Sequence, residues 1–115
     1  MSQVRSKRSL SIRMNYRTLW DPQPEAFLKA LAPEPRREIG IAIKHLAQGK
    51  TAGLDLRVLE GQLQGYMRLR VRTYRVVYYL SAQKSGPAIK IVAAGPRSTI
   101  YDTVERLLAE QMGKL

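Results

Sequence analysis

Polar and apolar residues alternate along the N-terminal part of the chain. From Ile12 to Trp20 the run IRMNYRTLW sets Ile12, Met14, Tyr16 and Thr18 against Arg13, Asn15, Arg17 and Leu19, which predicts a strand. Asp21-Pro22 then punctuates, with Asp21 suited to a helix N-cap and Pro22 to the first helical position. A short helix follows over Pro24 to Leu31, with Phe27, Leu28 and Leu31 on one face. Ala32-Pro33-Glu34-Pro35 breaks it. A second helix runs from Pro33 to Gln48, its stripe carried by Ile39, Ile43 and Leu46 and its end marked by Gly49. Two helices across a proline break make an antiparallel hairpin. After a polar loop over Lys50 to Asp55, Leu56 to Leu63 leads into a sheet, with Gly61 and Gly65 as bends. Strands are predicted at Tyr66 to Arg72, Tyr74 to Ala82 and Ala88 to Ala94. VVYYL and IKIVAA, the most apolar runs, are expected at the centre. A last helix spans Ile100 to Met112, its buried stripe drawn from Val104, Leu107 and Leu108.

The third of these stretches carries an unusual burden. QGYMRLRVRTYRVVYY holds Arg68, Arg70, Arg72 and Arg75 among strong strand formers. Strict alternation with Leu69 and Val71 predicts that Arg68, Arg70 and Arg72 share one face, while Leu69, Val71 and Thr73 turn to the core. Neighbouring guanidinium groups repel, and arginine keeps its charge at any accessible pH. Phosphate is the natural counter-charge, because a guanidinium grips it with a planar fork. Arg75 begins the next strand and Arg97 follows the strand after that, so antiparallel pairing brings both toward the row. Tyr101 stands one helical turn beyond Arg97. Taken singly, each arginine reads equally well as a solvated charge. As a set they lack local neutralisation, since no Asp or Glu lies between Gly61 and Gly95.

Charge sharpens this picture. The 115 residues include 20 Lys and Arg against nine Asp and Glu, a net charge of +11, which favours nucleic acid or an acidic protein as partner. The length suits one domain over residues 12–115, behind a basic tail over residues 1–11. That tail has no apolar core of a secretory signal, and no run reaches the ~20 apolar residues of a membrane span. Its richness in Arg and Ser also resembles part of an organelle transit peptide, but no cleavage pattern follows. Cysteine is absent, which removes disulfides, thiol catalysis and Cys-type zinc sites and fits a cytoplasmic location.

Two readings of the arginine face remain at this level, a catalyst and a binder. RNA can be cut by its own 2′-hydroxyl if a base, an acid and cations for the developing charge are supplied. The carboxylates Asp55, Glu60, Asp102 and Glu105 show no metal-ligand spacing, so no metal and no cofactor is expected. His45, the single histidine, falls off the apolar stripe of its helix and reads as a surface residue. The remaining proton carriers are Tyr74, Tyr78 and Tyr101. Guanidinium neighbours favour a phenolate, which suits Tyr101 as a general base or a positioning group.

The ordered set Leu59-Glu60-Gly61, Arg68-Leu69-Arg70-Val71, Tyr74-Arg75-Val76-Val77-Tyr78 and Gly95-Pro96-Arg97 with Tyr101 resembles the RelE/ParE superfamily of type II toxin–antitoxin toxins. The likeness covers about Asn15 to Leu108, including FLKAL and RREIGIAIKHL of the hairpin. It implies an α+β fold, an N-terminal strand and helical hairpin packed on a small antiparallel sheet with a C-terminal helix. It also implies metal-independent mRNA cleavage, commonly in the ribosomal A site, and a hetero-oligomer with an acidic antitoxin. On that pattern Arg68 and Arg70 match positions that hold RNA phosphate or take part in proton transfer, and Arg72, which makes the strand more basic still, is expected to bind phosphate with them. Arg75 and Arg97 match arginines that stabilise transition-state charge, and Tyr101 matches a tyrosine that stacks on or deprotonates the substrate. The chain departs from the pattern at Pro96, where many relatives carry His or Lys. It departs at Arg68 and Arg70, where some carry lysine, and at Arg72, often glycine. The ParE branch, which acts on DNA gyrase, and a non-toxic nucleic-acid-binding module are the alternative expectations.

Overall fold

A computed structural model describes residues 15–113. The basic tail and the first residues of the predicted N-terminal strand lie outside them. Strand β1 (Arg17–Trp20) leads into helices α1 (Pro22–Ala30) and α2 (Pro33–Ala47). Strands β2 (Asp55–Val58), β3 (Met67–Val71), β4 (Tyr74–Gln83) and β5 (Gly86–Pro96) follow, and helix α3 (Ile100–Gly113) ends the described chain. The sheet order is β1-β5-β4-β3-β2, with β1 parallel to β5 and every other pair antiparallel. The α+β architecture is as the residue pattern and the resemblance imply. It gains one full strand: β2 lies within the stretch that reads only as an approach to the sheet.

Helix ends follow from local chemistry. Pro22 and Pro33 open α1 and α2, where a missing N–H costs nothing. Asp21 occupies the N-cap position of α1, but its carboxylate pairs with Lys90 at 3.3 Å instead of capping. At the far end of α2, Gly49 takes φ 75°. Its N–H donates to Leu46 O and that of Lys50 to His45 O, the double bond of a Schellman stop.

Two apolar layers flank the sheet. On one face Leu69, Val76, Tyr78, Ile89, Ile91 and Ala94 meet Ile39, Ile43 and Leu46 of α2. On the other, a smaller cluster joins Val77 and Ala93 to Ile100 and Val104 of α3. The β4–β5 register skips Val92, which pairs Val77 with Ala93 but Tyr78 with Ile91. Gln23 of α1 caps the edge of β5 beyond the end of β1: its amide donates to Ala94 O and its carbonyl accepts from Ala94 N, at 2.8 and 2.9 Å. That clamp fixes the segment from which Arg97 emerges.

The predicted strand face fails at Arg72. β3 ends at Val71, and Arg72 with Thr73 forms the tight connection to β4, Arg72 holding φ 56°. A side chain in this left-handed region costs about 1–2 kcal/mol, a cost that glycine avoids. Thr73 is exposed and does not turn to the core. Because the exposed Arg72–Glu38 pair at 2.8 Å returns less than about 1 kcal/mol, Arg72→Gly should hold stability within about 1 kcal/mol, whereas Arg72→Val should lose more than that. Urea unfolding midpoints check this; a glycine variant weaker than the valine variant would contradict it.

Candidate functional site

Strand register decides which arginines meet. Arg70 lies opposite Arg75, and Arg75 lies opposite Gly95. Directly opposed residues point to the same side of an antiparallel pair. Arg68 lies opposite Val77, which belongs to the α3 layer. Arg68, Arg70 and Arg75 therefore share the α3 face. Helix α3 covers part of this face. It starts just beyond the end of β5 and buries Ile100 and Val104. Leu59, Leu63 and Tyr66 of the β2–β3 connection pack on the same layer, so that Arg68 and Arg75 are buried while Arg70 is exposed.

Arg75 is the buried centre, at 6% exposure. Its Nη1 donates to Arg72 O and to Tyr74 O, both at 3.0 Å, tying the guanidinium to the β3–β4 connection. Arg97 reaches the same connection from the other side, where its backbone N–H donates to Thr73 O at 2.8 Å. The Arg97 side chain is exposed, and so is Tyr101, at 41%, in the first turn of α3. Burial, and then the like charges of Arg70, Arg68 and Arg97, draw the Arg75 pKa below the ordinary arginine range, while Tyr101 acts in the opposite sense. These four groups are thus close enough to Arg75 to act on it electrostatically, and Arg68 and Arg70 share its sheet face.

Other residues read from the sequence fall elsewhere. Arg72 pairs with Glu38 of α2, away from the row. Tyr74 packs with the hairpin layer and meets Phe27 edge-on, with ring centres 6.0 Å apart. Tyr78 is buried in that layer, and burial raises its pKa. Neither phenol reaches the arginine face. His45 is exposed on α2.

The sequence reading missed Asp55 and Arg57. On β2 they stand opposite Arg70 and Arg68 respectively. Asp55 Oδ1 accepts from Arg68 Nη2 at 2.7 Å, and Oδ2 lies 3.7 Å from Arg70 Nη1. The row is therefore partly neutralised from a strand that precedes it in sequence. Arg57 adds an exposed cation to the same face. The signal was present in the alternation of Asp55 and Arg57 with Leu56 and Val58, but it is only four residues long.

Two hollows lie outside the cluster. One of about 550 Å³ sits between α3 and the sheet, with Tyr66, Tyr79 and Lys90 in its wall; the other, of about 610 Å³, follows the β2–β3 connection. Among the described residues no three His, Asp or Glu side chains are grouped to hold a metal ion. No described helix is long and apolar enough to cross a membrane.

No protein-family model matches the chain, and no curated protein matches it significantly. Solved structures do. The RelB–RelE antitoxin–toxin complex of Methanococcus jannaschii is 22% identical with a TM-score of 0.59, covering 74% of this chain and 96% of that one. The YoeB/ParE toxin of Agrobacterium tumefaciens is 20% identical at 0.59, covering 70% and 97%. The RelE–RelB complex of Pyrococcus horikoshii is 26% identical at 0.54, covering 72% and 96%. The chain has the RelE/ParE toxin fold. In this chain the arginine row lies on the sheet face that also carries α3.

Within this RelE/ParE fold the two arginines at the connection differ in what they hold. Arg75→Ala strips two carbonyls of a charged donor and should cost about 1–3 kcal/mol. Relief of repulsion from half-exposed neighbours offsets only part of this, because solvent screens them. Arg97→Ala removes an exposed side chain and keeps its backbone bond, so its stability should stay within about 0.5 kcal/mol of the parent. Chemical denaturation of both variants checks the contrast, and equal losses would contradict it.

Proposed function

We propose that this chain is the toxin of a type II toxin–antitoxin module and a metal-independent endoribonuclease acting on mRNA. The carrying observation is that Arg68, Arg70, Arg97 and Tyr101 all act on Arg75, with Arg70, Arg97 and Tyr101 exposed around it. Such a surface suits a phosphodiester backbone. Several guanidinium groups can meet successive phosphates, and Arg70 and Arg97 are exposed to an approaching strand.

In this reading Arg70 and Arg68 hold RNA phosphate, with Arg57 alongside. Arg75 and Arg97 face the scissile phosphate, where negative charge builds as the 2′-oxygen attacks phosphorus to close a 2′,3′-cyclic phosphate and the 5′-oxygen leaves, taking a proton from water. Arg75 is preorganised by its two carbonyl partners, so little reorganisation accompanies that charge. Tyr101 takes the 2′-hydroxyl proton or stacks on the base beside it. Arg72, paired with Glu38, has no part in the chemistry.

The solved relatives that crystallised as RelB–RelE complexes support an antitoxin partner. A net charge of +11 gives that partner's acidic segment a surface to cover. The toxin would act in the cytoplasm, on mRNA engaged by the ribosome, and be silenced there as a hetero-oligomer.

Arg97→Ala and Tyr101→Phe are the discriminating variants, since both side chains are exposed and their loss spares the fold. Induced wild type should arrest growth and leave new mRNA 5′ ends in primer extension, and cleavage by the purified protein should persist in a chelator. Arg97→Ala should lower cleavage ~100- to 1,000-fold, and Tyr101→Phe ~100-fold or more. Arrest with intact mRNA and a DNA-damage response would instead support a gyrase-directed toxin. Binding with no arrest would support a non-toxic module.

A further inference from the structure

The β2 carboxylate stands where the reading above places an RNA phosphate. Asp55 Oδ1 and Oδ2 divide between Arg68 and Arg70, at 2.7 and 3.7 Å. An oxyanion bridging two guanidinium groups is what a backbone phosphate would supply. The fit is incomplete. Arg68 has a side chain only 9% exposed, and its Nε is buried with no hydrogen-bond partner. Asp55 engages one arm of the Arg68 fork and leaves the other empty. A phosphate, with more acceptor oxygens, can take both Nε and Nη2 of such a fork. The Asp55 side chain is itself 50% exposed, so it can swing into solvent without losing a buried environment.

We propose that Asp55 is an internal phosphate surrogate: it holds Arg68 and Arg70 while the site is empty and yields them when an RNA backbone enters. This rests on reading the arginine face as an RNA-backbone site, but not on cleavage. The contact sets a threshold. A lone phosphate gains little by displacing a carboxylate already in place. A strand that also reaches Arg97 and Arg57 gains several contacts for the same displacement, so the device favours polyanions over free nucleotides.

The test uses a non-cleavable 2′-O-methyl RNA decamer carrying a fluorophore, with anisotropy as readout. Asp55→Asn keeps the shape and removes the charge, and should bind the decamer about threefold to tenfold more tightly than wild type. Asp55→Glu keeps the charge and should stay within twofold of wild type. Glu38→Gln makes the same change in net charge beside Arg72, off the row, and should also stay within twofold. Unchanged or weaker binding by Asp55→Asn, equal tightening by Glu38→Gln, or no decamer binding by wild type would each overturn the proposal. Wild-type NMR needs no variant. Adding the decamer should shift the Asp55 carboxyl carbon and bring the Arg68 Nε–H into a protected hydrogen bond; static signals at both would overturn it. If the decamer behaves as proposed while RNA is not cut, the nuclease reading falls and this one stands.

Discussion

Forcing guanidinium groups into adjacent register on one sheet face is the constraint around which this molecule is arranged. Arg70 opposite Arg75 is unfavourable in itself, since like charges directly across an antiparallel pair repel. The pairing persists because the other side of the same strands leaves it no choice. Leu69 and Val76, opposite one another, are fully buried against α2. A one-residue slip would turn the arginines into the hairpin layer and the apolar residues out to solvent. The core therefore sets the register, and the register sets the charge density.

Three devices make that density tolerable, each with a chemical consequence. Carbonyls of the β3–β4 connection accept from Arg75 and orient it. Asp55 spans Arg68 and Arg70 from β2 and lowers the local field. Arg70 and Arg97 stay exposed at the rim, so water screens them. The surface that results is rigid at its centre and open at its rim. That division suits an anion that must be both gripped and exchanged. The surplus positive charge favours any anionic partner, whether an acidic peptide or a nucleic-acid strand.

Much of this is legible in the residues, and the gaps have physical causes. Apolar spacing fixes the hairpin through Ile39, Ile43 and Leu46, and VVYYL and IKIVAA do occupy interior strands, β4 at the centre and β5 beside it. Arg68, Arg70, Arg75, Arg97 and Tyr101 could be grouped because alternation and strand order are local information. Arg72 was misplaced because alternation does not reveal where a strand stops. Only its φ of 56° removes it from the row. Tyr74 and Tyr78 lie on the hairpin side, in simple alternation with Arg75 and Val77, and the register shift beside Val77 is taken up by Val92 of β5. Asp55 and Arg57 escaped notice because β2 is a four-residue edge strand, and its pairing with β3 depends on tertiary packing. The same strand supplies the carboxylate that an inventory of nearby acids failed to find.

The central claim is that the sheet face bearing Arg70, Arg75 and Arg97 receives the RNA backbone. A crystal structure with a short 2′-O-methyl RNA tests it most directly. The account predicts backbone phosphates within hydrogen-bonding distance of Arg70 and Arg97, with a ribose 2′-oxygen beside the Tyr101 hydroxyl. RNA lying in the hollow beneath α3, or along the Arg72–Glu38 side, with these arginines untouched, would contradict it.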